Sequence, residues 1–205
     1  MKKYSWIVAL LAALALVLVG CGDDGGGQQG GQEGGEEGGS EPVVLFDLAT
    51  YLNGVAVGAD TEAEIFIDKS KIQPAGGIPA QVGIKVVDVG GEKKGLEIKT
   101  VSDWAGVDLA DSGFSFKAGD TIEIAGTHKE LDTQILLNTN HSGWAPAGGW
   151  NPAVTPNDTF STTITLTAAD VTAIGSATPK NIRIRTNTAN AVFVIEKLIV
   201  KGIRD

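Results

Sequence analysis

The chain has 205 residues, 42% of them hydrophobic and 6% aromatic, with 25 acidic against 16 basic side chains and a net charge of −9. This length suits one core-bearing domain with an extension, and an acidic chain without a Lys/Arg cluster cannot neutralise a phosphate backbone, so nucleic acid is not an expected partner. The single cysteine excludes disulfides within the chain, which must therefore fold on its hydrophobic core alone.

At the N-terminus, Lys2 and Lys3 precede an apolar stretch from Trp6 to Val19 and small residues at Gly20 to Gly22, the three-part pattern of an export signal. The apolar stretch is shorter than the roughly 20 residues needed to cross a bilayer, and glycine and acid follow it rather than a basic flank. Leu18-Val19-Gly20-Cys21 resembles the lipobox of bacterial lipoproteins, whose cysteine is acylated and becomes the new N-terminus. The resemblance implies a signal peptide over 1–20, lipid on Cys21, and a place at the cell surface or in the periplasm, anchored to a membrane. It leaves open which membrane. Residues 21–42 are almost entirely Gly, Gln, Glu and Asp, too polar to offset the cost of ordering the backbone, and read as a flexible tether.

Residues 43–205 read as one all-β domain, a β-sandwich or jelly roll. Taking Lys2, Lys3 and the six acids of the tether away from the total leaves this domain a net charge of −5. Short runs rich in β-branched residues, separated by Gly, Pro, Asn and Asp, predict strands over 43–48, 63–67, 83–89, 96–101, 105–109, 121–125, 133–139, 160–166, 181–187 and 191–201. Alternation directs Ile122, Ile124, Ile135, Leu137, Ile164, Leu166, Ile182 and Ile184 toward a core, and Glu123, Gln134, Asn138, Thr163, Thr165, Arg183 and Arg185 away from it. A helix fits only over 168–173, where Thr167 is placed to cap and Asp170 to reciprocate.

The run KKGLEIKTVSDWAGVDLADSGFSF, ending at Phe116, and the following Lys117-Ala118-Gly119-Asp120-Thr121 resemble the jelly-roll carbohydrate-binding modules attached to xylanases and other glycan hydrolases. A strand before a Trp-x-Gly-Val element and a Lys-x-Gly-x-Thr turn carry the likeness, together with Asn181-Ile182-Arg183-Ile184-Arg185 and the closing strand through Phe193, Ile195, Leu198 and Val200. The resemblance covers essentially the whole domain. It implies non-catalytic binding of polysaccharide of the xylan or β-glucan class. Some members of the family hold a structural calcium near paired aspartates of the last strand, where this chain has Glu196 and Lys197. A structural calcium is left open there, and no other metal or cofactor is implied. Sugar-stacking aromatics on the sheet face are also typical, and the polar face here offers none, so stacking must come from loops.

The segment 138–151, NTNHSGWAPAGGWN, supplies such a loop. It sets Trp144 and Trp150 beside Asn138 and His141. A flat indole suits the apolar C–H face of a pyranose, while the hydroxyls at its rim call for Asn, Gln, His or Arg. One or both tryptophans folding back to seal the end of the sandwich is the plainer reading of the same residues. Arg183 and Arg185, two apart on one strand, project on the same side and suit fork contacts with hydroxyls or carboxylates, with Gln134 and Asn138 as neighbours; pairing with Glu123 across the sheet is the alternative. Trp104 reads as a packing residue, and Tyr51 as a loop contact or a lid over the core.

Catalytic signatures are lacking: there is no Gly-x-Ser-x-Gly, His-Glu-x-x-His or Gly-x-x-x-x-Gly-Lys-Ser/Thr, and His128 and His141 stand far apart. A glycosidase would have to draw its two carboxyls from residues such as Glu64, Glu97, Glu123 and Glu196. A structural or adhesive surface protein is the other competing class, and oligomeric state is left open. If Cys21 carries the anchor, Cys21→Ala releases the protein from the membrane fraction without unfolding it. A variant that still pellets with membranes after confirmed signal cleavage would contradict the lipobox reading.

Overall fold

The computed structural model describes residues 40–75, 82–102, 105–129, 133–139, 153–154, 158–176, 180–186 and 188–204, with backbone alone for 82, 133–139 and 153–154. All of these fall within the unit Gly39–Asp205; the export signal and most of the tether, with Cys21, lie outside the described residues. In chain order the elements are β1 Val43–Asp47, α1 Leu48–Tyr51, α2 Glu62–Ile65, β2 Ile72–Pro74, β3 Val82–Gly90, β4 Lys93–Thr100, β5 Gly106–Ala110, α3 Asp111–Phe114, β6 Thr121–His128, β7 Thr133–Thr139, β8 Ala153–Val154, β9 Thr159–Thr165, α4 Ala168–Ser176, β10 Asn181–Thr186 and β11 Val192–Gly202.

These strands form two sheets, every pair antiparallel. The first runs β3-β4-β11-β6-β9, with β1 also paired to β11; the second runs β2-β5-β10-β7-β8. From β5 to β11 the chain crosses repeatedly between them, the connectivity of a β-sandwich. Ile122, Ile124 and Ile164 from the first sheet, with Leu166 just beyond β9, meet Val107, Leu109, Ile182 and Ile184 from the second in one core around the fully buried Phe193. Each such side chain contributes about 1.5–3 kcal/mol by leaving water. The side chains of Ile135 and Leu137 lie outside the described set.

Strand β11 is the longest and organises the first sheet. Its first half pairs with β4 and its second half with β1 along one edge, while β6 runs along the other. A bulge between Ile195 and Lys197 lets Glu196 stand out of register and accept a hydrogen bond from the Thr127 hydroxyl at 2.9 Å. Lys197 then reaches Glu123 at 2.6 Å, and Lys201 pairs with the same carboxylate. Those two ammonium groups hold the Glu123 carboxyl below the ordinary range. Its contribution to stability is therefore present above the unfolded carboxylate pKa and is lost as pH falls through the lowered value. An ammonium engaged in this way at Lys197 does not suit a calcium at the bulge, and among the described residues no three His, Cys, Asp or Glu side chains come together.

Local chemistry explains the ends of the elements. The β3–β4 hairpin turns on Gly91 (φ 60°) and Glu92 (φ 63°), both in the left-handed region that a type I′ turn requires. The Lys94 ammonium donates to the carbonyls of Leu52 (3.2 Å), Asn53 (3.0 Å) and Val55 (2.6 Å), gathering the loop after α1 onto the sheet. Helix α4 begins as its sequence predicts, with Asp170 N–H donating to Thr167 Oγ1 at 3.2 Å and Thr167 N–H to Asp170 Oδ2 at 2.8 Å. Arg204 closes the C-terminus on the turn before β6 with two bonds of 2.8 Å to Asp120, which hold its guanidinium pKa above the ordinary value.

One predicted strand is a helix. Over 63–67 the β-branched pattern is overridden by a capping box: Thr61 accepts from Glu64 N–H, and Glu64 accepts from Thr61 N–H. That box starts α2, which buries Ile65 while Phe66 follows it into the core. Strands β2 and β8 and helices α1 and α3, each four residues or fewer, are too short to leave a periodic signal in the sequence.

The second sheet contains one position where only glycine fits. Gly106 of β5 lies opposite Arg185 of β10, and a Cβ there would come within 2.0 Å of the Ile184 carbonyl oxygen. Gly106→Ala should therefore force β5 and β10 apart and cost about 1–3 kcal/mol or more, seen as a fall of several degrees in melting temperature. An unchanged melting temperature would mean that the two strands pack less closely than described.

Candidate functional site

The second sheet carries its polar chemistry on the face turned away from the core. Because side chains alternate along each strand, the register that sends Leu109 and Ile182 inward sends their neighbours outward. Gln73 on β2 stands opposite Asp108 on β5, Asp108 opposite Arg183 on β10, and Arg183 opposite Asn138 on β7. One row of four polar residues thus crosses four strands. Asn181 lies two residues before Arg183, and Arg185 two residues after it, on the same face.

At the centre of this row two charges are out of water. Asp108 is fully buried and Arg183 is 4% exposed. The Arg183 fork meets the carboxylate at both prongs, Nε to Oδ1 at 2.7 Å and Nη2 to Oδ2 at 2.9 Å. Asn181, also fully buried, donates its amide to the same Oδ2. Its own Oδ1 has no hydrogen-bond partner among the described residues. A bidentate geometry with a third donor is the arrangement that offsets the large desolvation cost of a buried pair. It also fixes the orientation of both planar groups.

The alternative pairing of Arg183 and Arg185 with Glu123 is corrected by the topology. β6 carries Glu123 in the first sheet and β10 carries the arginines in the second, so the core lies between them. Glu123 is held by Lys197 and Lys201 instead. Arg183 is a buried, anchored group. Arg185 is half-buried, its Nη1 3.5 Å from the Thr186 carbonyl. Gln134 lies opposite Ala153 and Asn138 opposite Arg183 by backbone register. Trp144, Trp150, His141 and Trp104 lie outside the described residues. Tyr51 ends α1, half-buried against Phe46 with ring centres 5.3 Å apart.

Sequence reasoning singled out Arg183 but passed over Asp108 and Asn181. The signal was a lone carboxylate within Gly106-Val107-Asp108-Leu109-Ala110, a strand whose five residues are all buried. A charge in such a strand requires a partner of opposite sign, and the only strand with paired arginines is β10.

No protein-family model matches the sequence, and no curated protein matches it. Solved structures do share its fold. The tandem pair of family 22 carbohydrate-binding modules at the N-terminus of Xyn10C from Paenibacillus barcinonensis superposes with a TM-score of 0.51 at 11% identity, over 81% of this chain and 47% of that one. The chain thus spans about half of the tandem. The first of those modules alone, described as a xylan-binding domain, gives 0.49 at 12% identity over 81% and 98% of the two chains. The module-plus-catalytic-domain structure of xylanase 10B from Clostridium thermocellum with xylohexaose gives 0.44 at 11% identity, over 74% and 28%. What is shared is the two-sheet antiparallel sandwich.

The buried pair has a measurable signature. Arg183→Met leaves Asp108 charged and uncompensated and should cost about 3–5 kcal/mol in chemical denaturation, while adding Asp108→Leu to it should recover at least half of that loss. A single variant as stable as the parent would show that the pair is not buried in solution.

Proposed function

We propose that this protein binds polysaccharide of the xylan or β-glucan class without cleaving it, through the outer face of the second sheet and the loop over 138–151, while lipid on Cys21 holds it at the cell surface or in the periplasm. The observation that carries this reading is the row Gln73–Asp108–Arg183–Asn138 on an outer sheet face. A sandwich needs no buried ion pair there for stability, since apolar residues of similar volume serve as well or better. Because Asp108 and Arg183 are themselves out of water, such a pair would act by fixing the register of the strands that carry Arg185 and Asn138, the groups left to meet hydroxyls.

In this reading Asp108 and Asn181 position Arg183. Arg185, Gln134, Asn138 and His141 supply hydrogen bonds to sugar hydroxyls, and Trp144 and Trp150 supply the apolar platforms. The sequence likeness to carbohydrate-binding modules and the fold shared with the tandem modules point the same way. Binding without hydrolysis is favoured because the four carboxylates considered for catalysis are engaged elsewhere. Glu64 caps α2, Glu97 pairs with Lys129, Glu123 pairs with two lysines, and Glu196 accepts from Thr127.

Replacing Trp144 and Trp150 together with Ala tests the reading in a xylan retardation gel. Each aromatic platform is worth about 1–2 kcal/mol after desolvation and ordering costs, so the pair should cost roughly ten- to a thousandfold in affinity with little change in melting temperature. Unchanged retardation with a large fall in melting temperature would assign both tryptophans to packing, where truncation costs about 3–5 kcal/mol. Release of reducing ends by the wild-type protein would overturn the non-catalytic part of the proposal.

A further inference from the structure

A concave site lies outside the polar row, in a cleft of about 360 Å³ between β1, α1 and the segment leading into β2. Its walls are Val44 to Asp47 on one side and Thr50, Tyr51, Asp68 and Lys71 on the other. None of these belongs to the row through Asp108. The volume falls at the lower end of the range for small-molecule sites, about 300–1,000 Å³.

Its chemistry is mixed and specific. Phe46 and Tyr51 form an aromatic base, their rings tilted by 49° at 5.3 Å. The Tyr51 hydroxyl accepts from Asp68 N–H at 3.3 Å, which leaves its own proton for another acceptor, and burial pushes its pKa up so that the proton is retained. Asp68 uses Oδ1 to accept from both Ser70 N–H, at 3.0 Å, and Ser70 Oγ, at 2.5 Å, leaving Oδ2 without a partner among the described residues. Lys71 donates one proton to the Gly113 carbonyl and rests its ammonium 4.8 Å from the centre of the Phe114 ring, with two N–H groups still to place. Asp47 is already used in capping α1 through Ala49 N–H and the Thr50 hydroxyl.

Charge narrows the ligand class. Two carboxylates against one ammonium disfavour an anion, and the local donors already held by Asp47 and Asp68 leave no bare acidic pair for a cation. What remains is a neutral ligand with an apolar face and several hydroxyls, able to accept from Tyr51 and Lys71 while donating to Asp68. We propose that this cleft is a second saccharide site, sized for one or two pyranose units and independent of the sheet face. The reading above is used only for the choice of sugar.

The test is an amide-shift titration of the full chain by NMR with xylobiose and, separately, cellobiose. Saturable shifts at Val44–Asp47 and Asp68–Lys71, with Tyr51→Phe and Asp68→Asn each weakening the affinity about three- to tenfold, are the expected result. Tyr51→Phe keeps the ring against Phe46, and Asp68→Asn keeps the backbone contact to Tyr51, so both variants should remain folded. Absence of shifts at these residues while xylan is still retarded in the gel would overturn the cleft and leave the sheet-face reading standing. Shifts here without retardation would support the cleft and sink the sheet-face reading. Affinities unaltered in both variants would overturn the assignment of these groups.

Discussion

A carboxylate and a guanidinium removed from water on neighbouring strands constrain the second sheet more tightly than any apolar contact in it. Asp108 and Arg183 must face each other in register, because the fork closes on both oxygens only when β5 and β10 are aligned as they are. A slip of one residue in either strand would turn that strand's charge into the core and its apolar residues outward. Hydrophobic packing tolerates rearrangement far better than this pair does. Gly106 belongs to the same constraint, since its missing side chain lets β10 come close enough beside Arg185 for the fork to close.

The first sheet treats charge in the opposite way. Its ion pairs, Lys129 with Glu97 and Lys197 and Lys201 with Glu123, lie toward solvent and contribute little each. They keep β11 and its neighbours soluble on the outside while Ile195, Leu198 and Val200 fill the core. A surface ladder of this kind is expected on any sandwich. Asp120, buried in the turn before β6, also takes three hydrogen bonds, from Lys117 N–H and Arg204, so what sets the second sheet apart is that its buried carboxylate, Asp108, sits within a strand and in a row of polar residues.

Much of the strand pattern was legible in the sequence because it rests on period-two alternation, which survives in Thr121–His128, Thr159–Thr165 and Asn181–Thr186 without any tertiary help. Helix α4 was legible for a local reason too, the reciprocal contact of Thr167 and Asp170. The segment 63–67 was misread because β-branching was weighed above the Thr61–Glu64 box, whose hydrogen bonds act on the backbone directly. The site was legible only by halves. Arg183 and Arg185 announce themselves by spacing, but Asp108 is meaningful only once β5 and β10 are neighbours, and sequence alone does not specify which sheet a strand joins. The same ignorance allowed Glu123 to be offered as a partner for arginines on the far side of the core.

Two regions of different design follow from one sandwich. On the second sheet, Asp108, Arg183 and Asn181 hold each other rigidly and out of water, so at the proposed face they would fix the strands beside a ligand rather than meet it. In the cleft beside β1, the groups are nearer to solvent and only partly satisfied, with Asp68 exposed and Lys71 half-buried, so they can adapt to a ligand at the cost of ordering. On the proposed reading, a polymer, which presents the same hydroxyl pattern at each repeat, would suit the rigid face, and a short or terminal unit, which presents varied hydroxyls, would suit the adaptable cleft. If both proposed sites bind glycan, occupying both along one chain would combine their binding free energies through effective concentration, which raises avidity without any new contact. That gain would be available only if the two proposed sites can be spanned by a continuous glycan, so on this reading the geometry of the ligand, more than the strength of either site, would decide whether the sandwich acts as one binder or two.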